Sequence, residues 1–356
     1  MSNRKVLPIA TPDLTSYAHL SYFLSIMYTD KDALRWVYSH YIQLHVRHWS
    51  DTSMVDYFTQ NPDVHLVPTV GGSPRLNRGF VKRWAPSFGE FVRRSIDDGQ
   101  YVVTFVDDYY IPGTVAYQNR SNPHGLMIYG YDDDSRMFHV SAYLANQSYG
   151  NTLVSYDDME MAYQGIDPDP FNYTGYLHLY RLNETFKSLY PFQVPWVMEQ
   201  MEDYLYARPS SRRLLAFEEP HDIPPTWGIE TYDWMIHESE RQLARQTFVD
   251  HRPFYVLWEH KKMMNRRLAY MEEEGYFTFS GEVAAEYREV EQSAMLARNL
   301  KLKHMMSNDD RHMVQLIDRL KALKSAESLV IERMLEEYER SIRTQDENAR
   351  RLEHTR

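Results

Sequence analysis

The chain has 356 residues, 43% hydrophobic and 25% charged, with 39 basic against 50 acidic side chains and a formal net charge of −11. These are globular proportions, and the length suits two domains. The negative balance argues against a general nucleic-acid binder, whose phosphate contacts need a basic surface. There is no cysteine, which excludes a disulfide, a thiolate nucleophile and any cysteine-ligated zinc or iron–sulfur centre. The opening MSNRKVLPIATPDLT has no apolar signal core, and no run of about 18 apolar residues occurs, so a cytoplasmic protein without a membrane span is expected. The 28 tyrosines can line a half-polar cleft, though Tyr is also a good strand former.

In chain order, YAHLSYFLSIMY from Tyr17 has helical spacing. After Thr29 and Asp30, either of which can cap a helix, LRWVYSHYIQL predicts a second one. VHLVPTVGGSPRLNRGF (64–80) reads as loop from its prolines and glycines, and FGEFVRRSIDDG (88–99) as a helix stopped by Gly99. Three strands are predicted next: YVVTFVDDYYI (101–111), HGLMIYGYDDD (124–134) and RMFHVSAYL (136–144), the last two forming a hairpin. VSYDDMEMAYQG predicts a short helix with Ser155 as N-cap and Asp158 at N3, and TGYLHLYRLN (174–183) a further strand.

From about residue 195 the pattern turns helical. PWVMEQMEDYLYA, TYDWMIHESERQLARQTF and PFYVLWEHKKMMNRRLAYMEEEG precede two long C-terminal helices. In the last, Met313, Leu316, Leu320, Leu323, Val330, Met334, Tyr338 and Ile342 form one apolar stripe, and the polar ending RTQDENARRLEHTR is expected to fray. The expectation is an α+β domain over 1–190, with an antiparallel sheet, followed by an all-helical domain over 191–356.

The most chemical pattern is VDDYYIP (106–112) followed by His124 at the start of the next strand. A histidine there stands at a sheet edge, where it can act as a general base or merely bond a loop carbonyl. Asp132, Asp133 and Asp134 lack the glycine and glutamate of a calcium loop and read as a hairpin turn. Glu259-His260 and His237 with Glu240 lack an HExxH pattern, so no metal is expected.

VDDYYIP…HGLMIYGYDDD…MFHVSAYL…VSYDDMEMAY resembles the N-terminal domain of the butirosin-biosynthesis protein H family. GIETYDWM…DHRPFYVLWEHKKMMNRRLAYM is similar to the helical part that follows it in related proteins of antibiotic gene clusters. The resemblance implies a papain-like, cysteine-peptidase-like fold that moves an acyl group from a carrier protein to an amine, with no cofactor. His124 would be the base, Asp107 would shape the cleft, and Gly130, Tyr131, Asp132 and Asp133 match the family's GYDD turn.

Two departures stand out. The cysteine expected near the start of the first helix is absent, and SYAHLSYFLS offers Ser16, Ser21 and Ser25 instead. An acid expected in the strand after His124 is replaced around Ser141. A serine needs a well-aimed base and an oxyanion hole to do what a cysteine does. Each of these serines can equally be an ordinary helix or cap residue. Substrate contacts would come from Tyr17, His19, Tyr109, Tyr110 and Tyr131.

The expected function is therefore acyl or peptidyl transfer, or release, from a carrier-protein thioester to a small-molecule or peptide amine in non-ribosomal-peptide-type biosynthesis. His124 would serve as base, with a serine or the amine itself as nucleophile. The alternative is a non-catalytic relative that binds a carrier protein or synthetase module. An acidic, phosphopantetheine-bearing carrier needs a local basic patch, for which RGFVKR (78–83) and KKMMNRR (261–267) are the candidates. No nucleic acid or membrane partner is expected, and the oligomeric state stays open, a homodimer being one arrangement.

Overall fold

A computed structural model describes residues 3–48, 52–59, 67, 70, 74–145, 148–169, 172–185, 189–214, 223–248 and 250–353. The chain is α+β, with antiparallel sheets and a helical C-terminal region. It divides into one unit of Met1–Val37 with Asp63–Pro191 and a second of Tyr38–Pro62 with Phe192–Arg356. The expected boundary near 190 is thus joined by a second one, because residues 38–62 group with the helical region.

After β1 (Arg4–Val6), α1 (Ala18–Met27) buries every residue from Leu20 onward. α2 (Leu34–Ser39) is shorter than the predicted helix over LRWVYSHYIQL. The chain breaks at Tyr41, with φ +56, and enters β2 (Leu44–His48), which pairs with β3 (Ser53–Tyr57). A distant side chain stabilises that break. The fully buried Arg267 guanidinium donates to the carbonyls of Tyr38, His40 and Tyr41, which a longer helix would have kept for itself.

Within the predicted loop, residues from Arg75 form β4 (Arg75–Asn77) and α3 (Arg78–Trp84); most of the stretch before them lies outside the described residues. Asn77 caps α3 by accepting from the Gly79 amide. α4 (Phe88–Asp97) has Ser87 as its cap, and Gly99 adopts φ +76, a conformation that favours glycine.

β5 (Tyr101–Asp107), β6 (Pro123–Asp132) and β7 (Met137–Tyr143) follow the predicted strands. β8 (Tyr149–Ser155) escaped prediction because YGNTLVS mixes glycine and polar residues, as suits a largely solvated edge strand. Ser155 then caps α5 (Tyr156–Gln164), its Oγ accepting from the Asp158 amide at 3.0 Å, and β9 (Tyr176–Tyr180) completes the first unit.

The sheet order is β4-β9-β5-β6-β7-β8, all neighbours antiparallel, with β1 on the far end of β6. A Cβ at Gly130 would meet the Lys5 carbonyl oxygen at 2.9 Å, so glycine there permits the β1–β6 approach. Val102, Val106, Leu126, Ile128, Phe138 and Val140 anchor the core over this sheet.

The second unit contains α6 (Val194–Leu205), β10 (Thr226–Trp227), α7 (Thr231–Leu243), α8 (Arg252–Glu273), α9 (Gly281–Ser307) and α10 (Asp310–Glu353). It is not all-helical, since β10, β2 and β3 form a three-stranded antiparallel sheet. The α10 stripe is buried from Met313 to Met334, but Ile342 is exposed and the helix continues to Glu353, beyond the point where fraying was expected. No helix among the described residues is long and apolar enough to cross a membrane.

A buried polar cluster links all five of these helices. Glu327 accepts from Tyr204, Tyr232 and Tyr287 at 3.1, 2.8 and 2.8 Å and pairs with Lys261 at 2.7 Å, both charges being fully buried. Lys261 also donates to His260, whose other ring nitrogen meets the Ile42 carbonyl at 2.6 Å. Burial lowers the Lys261 ammonium to about 8 even with Glu327 beside it. Breaking one side of such a pair leaves an uncompensated charge in the core. Glu327→Gln should therefore destabilise the chain by about 3–5 kcal/mol in urea unfolding. Adding Lys261→Met to it should change stability little, whereas additive losses would contradict a coupled pair.

Candidate active site

The loop between β5 and β6 is closed by a carboxylate. Asp107 ends β5, is buried, and accepts through Oδ1 from the amides of Tyr109 at 3.0 Å and Asn122 at 2.9 Å. One side chain thereby satisfies donors at both ends of the loop. The Asp108 amide donates to the Asn122 carbonyl at 3.0 Å, and Asn122 Nδ2 donates to Asp108 Oδ2 at 3.1 Å. Asp107, expected to shape the cleft, bonds the backbone at both ends of this loop.

Asp108 is the acid that faces the histidine. His124, the second residue of β6, holds Nδ1 3.9 Å from Asp108 Oδ2, a distance that makes the contact electrostatic rather than a hydrogen bond. The His124 side chain is 38% exposed and that of Asp108 only 6%. Burial pushes the Asp108 carboxyl up to about 7, eased by the Asn122 bond and reinforced by the Asp107 charge. Burial also lowers the His124 imidazole below its usual 6.5, countered in part by the Gly125 backbone. Near neutral pH the site thus holds a neutral imidazole beside a carboxyl that titrates in the same range.

The start of α1 reaches this pair through Tyr143. The Tyr143 ring packs edge-on to His124 at 5.7 Å between centroids, and its hydroxyl donates to the Thr15 carbonyl at 2.8 Å and meets Ser21 Oγ at 3.0 Å. α1 begins without a side-chain cap. Tyr22, one residue further, donates its hydroxyl to the Gly125 carbonyl at 2.5 Å, tying α1 to the strand that carries His124.

Of the candidate serines, Ser16 is half-buried, whereas Ser21 and Ser25 are inside the protein. Ser21 is fully buried, with its hydroxyl against the Tyr17 and Ala18 carbonyls at 3.2 and 3.3 Å. Ser25 is fully buried too, donating to the Tyr22 carbonyl at 2.8 Å and accepting from Tyr149 at 3.1 Å. Both make helix back-bonds, so neither presents an oxygen to a substrate in this arrangement. This is a correction of the expectation that one of them supplies the nucleophile.

Of the expected substrate contacts, Tyr17 is buried and His19 is exposed, stacked on the Tyr17 ring at 5.5 Å. Tyr109 is 37% exposed and lies edge-on to the partly buried Tyr110 at 4.9 Å, in the loop that Asp107 closes. Tyr131 does not belong to the group. It is buried seven residues along β6, about 23 Å from His124 at strand spacing, and donates to Asp97 at 2.7 Å.

In the strand after His124, where an acid was expected, Ser141 bonds Asn151 at 2.8 Å; the carboxyl that lies near His124 is Asp108, just past the end of β5. The second aspartate of VDD and the asparagine of NPH carried that signal. In the GYDD turn, Asp132 accepts from the amides of Asp134 and Ser135, as an ordinary hairpin turn does. Among the described residues no group of three side chains could hold a metal ion.

The electrostatics can be read directly by histidine NMR. His124 should titrate below 6.5, because burial disfavours its cation. A His124 titrating above 6.5 would contradict a buried, neutral imidazole. Compared with known proteins, the sequence matches no family model and no curated protein.

Proposed function

We propose that the first unit is a papain-like domain that transfers an acyl or peptidyl group from a carrier-protein thioester to an amine, in natural-product biosynthesis of the non-ribosomal-peptide type. The observation that supports this most is the half-exposed His124 imidazole, held neutral beside Asp108 and packed on Tyr143, whose hydroxyl reaches the start of α1. The packing of α1 beside an antiparallel sheet that carries that histidine near the start of an inner strand supports the papain-like reading.

With no thiol in the chain and Ser21 and Ser25 sealed, the attacking group is the amine itself. Its nitrogen lone pair forms the C–N bond as the thioester C–S bond breaks. His124 takes the proton released from nitrogen and returns it to the departing sulfur. The N-terminal end of α1 favours the developing oxyanion through its partial positive charge. A thioester is already activated, so holding both reactants in register supplies much of the rate. Asp108, when ionised, stabilises the imidazolium that forms.

The sealed serines also favour a second reading, a non-catalytic unit that only binds a carrier protein. Turnover separates the two. Incubation with an acyl-loaded carrier protein and amines should give an amide product detectable by mass spectrometry, and His124→Ala should reduce kcat/KM by about 10²–10⁴. Product formation that survives His124→Ala would overturn the proposal, and binding with no product would leave the second reading.

In a pH series the acid limb of kcat/KM should fall below 6.5, because the depressed imidazole stays unprotonated, and therefore basic, to a lower pH than a free one. An acid limb above 6.5 would contradict His124 as the base.

A further inference from the structure

The short helix α3 divides into two faces. Arg78 and Val81 turn inward. The Arg78 guanidinium lies 3.7 Å from the Tyr163 ring centroid and donates to the Phe105 and Tyr163 carbonyls and to Thr104 Oγ1. The outward face is unusual for a soluble surface. Trp84 is 71% exposed and Phe80 54%, their rings 6.1 Å apart, with Lys82 and Arg83 exposed beside them. Among the described residues no carboxylate pairs with Lys82 or Arg83. In a chain of net charge −11, an unneutralised basic pair flanking two bare aromatic rings is a local inversion of the surface.

The register places this face at the histidine end of the sheet. β4 runs into α3 at Asn77, opposite Tyr176 at the start of β9, while Thr104 pairs with Leu177 and Val106 with His124. The last residues of β4 and β5 and the first of β9 and β6 therefore share one edge. Three strand spacings, about 14 Å, separate β4 from β6. The buried Arg78 fixes α3 to that edge, one residue from the partner of His124.

We infer that the outward face of α3, made by Phe80, Lys82, Arg83 and Trp84, is the docking surface for an acidic carrier protein that presents its thioester to His124. The identity of the partner rests on the functional reading above; the surface is argued from its own charge and exposure. Exposed tryptophan, phenylalanine and arginine are the side chains that carry binding energy in protein interfaces, and complementary charge speeds and orients encounter. The other basic stretch, KKMMNRR, does not compete, because Lys261 and Arg267 are fully buried in the second unit.

The test pairs binding with turnover on the full-length chain. A fluorescently labelled, phosphopantetheinylated acyl carrier protein is titrated with wild type, Lys82→Glu/Arg83→Glu and Phe80→Ser/Trp84→Ala, and anionic phosphatidylglycerol vesicles are titrated in parallel. Turnover is followed with the carrier-bound thioester and with the same acyl group on free pantetheine. Both variants should weaken carrier binding and raise KM for the carrier-bound substrate by about tenfold, with kcat/KM for the free thioester unchanged. Wild-type binding should weaken with added salt, and that of Lys82→Glu/Arg83→Glu much less. Carrier binding unaffected by both variants, an equal loss on both substrates, or binding to vesicles but not to the carrier would overturn the docking surface. Absence of turnover on either substrate would count against the functional reading alone, since the binding arm still decides the surface.

Discussion

The bond that the site depends on is the one Asp107 makes to the backbone. Its carboxylate holds the amides of Tyr109 and Asn122, thirteen residues apart, and so fixes where Asp108 and His124 stand. Closing a loop of that length opposes folding by roughly 2–3 kcal/mol. Two charge-assisted hydrogen bonds, about 1.5–3 kcal/mol each, offset that. Asp108 is left with only an asparagine amide for a donor and is pushed toward neutrality, whereas Asp107 has backbone amides. Two adjacent aspartates thus have different jobs because one faces the chain and the other faces the imidazole.

Tyrosine does the connecting work in both units, by different means. In the first, Tyr143, Tyr22 and Tyr149 carry α1 onto the sheet through their hydroxyls, two of them ending on Ser21 and Ser25. This explains why serines that stand where a nucleophile was sought are buried: they bond tyrosine hydroxyls at the helix–sheet contact. In the second, three tyrosines surround Glu327 and let a carboxylate and an ammonium remain paired inside the helices.

What the sequence made legible was local. The Ser155 cap, the Gly99 stop, the β6–β7 hairpin and the α10 stripe follow from residues a few positions apart, and each could be read without tertiary knowledge. The end of α2 could not, because Arg267 satisfies carbonyls at 38–41 from more than 220 residues away. The transfer of 38–62 to the second unit is equally non-local, as is the short β10 strand that completes its sheet. At the site, His124 was legible from its place at a strand start. The role of Asp108 depended on the register that sets β5 beside β6, and the closure of Ser21 and Ser25 on packing that no spacing reveals.

The proposed reading, direct attack by an amine with His124 as base, rests on an imidazole beside an acidic neighbour and on the burial of Ser21 and Ser25. Intact-protein mass spectrometry during a single turnover tests this most directly. The chain is mixed with an acyl thioester first and an amine second. The account requires the protein mass to stay unchanged throughout while the amide appears only once amine is added. A protein gaining the mass of the acyl group before the amine arrives, with the ester mapped to a serine, would contradict it.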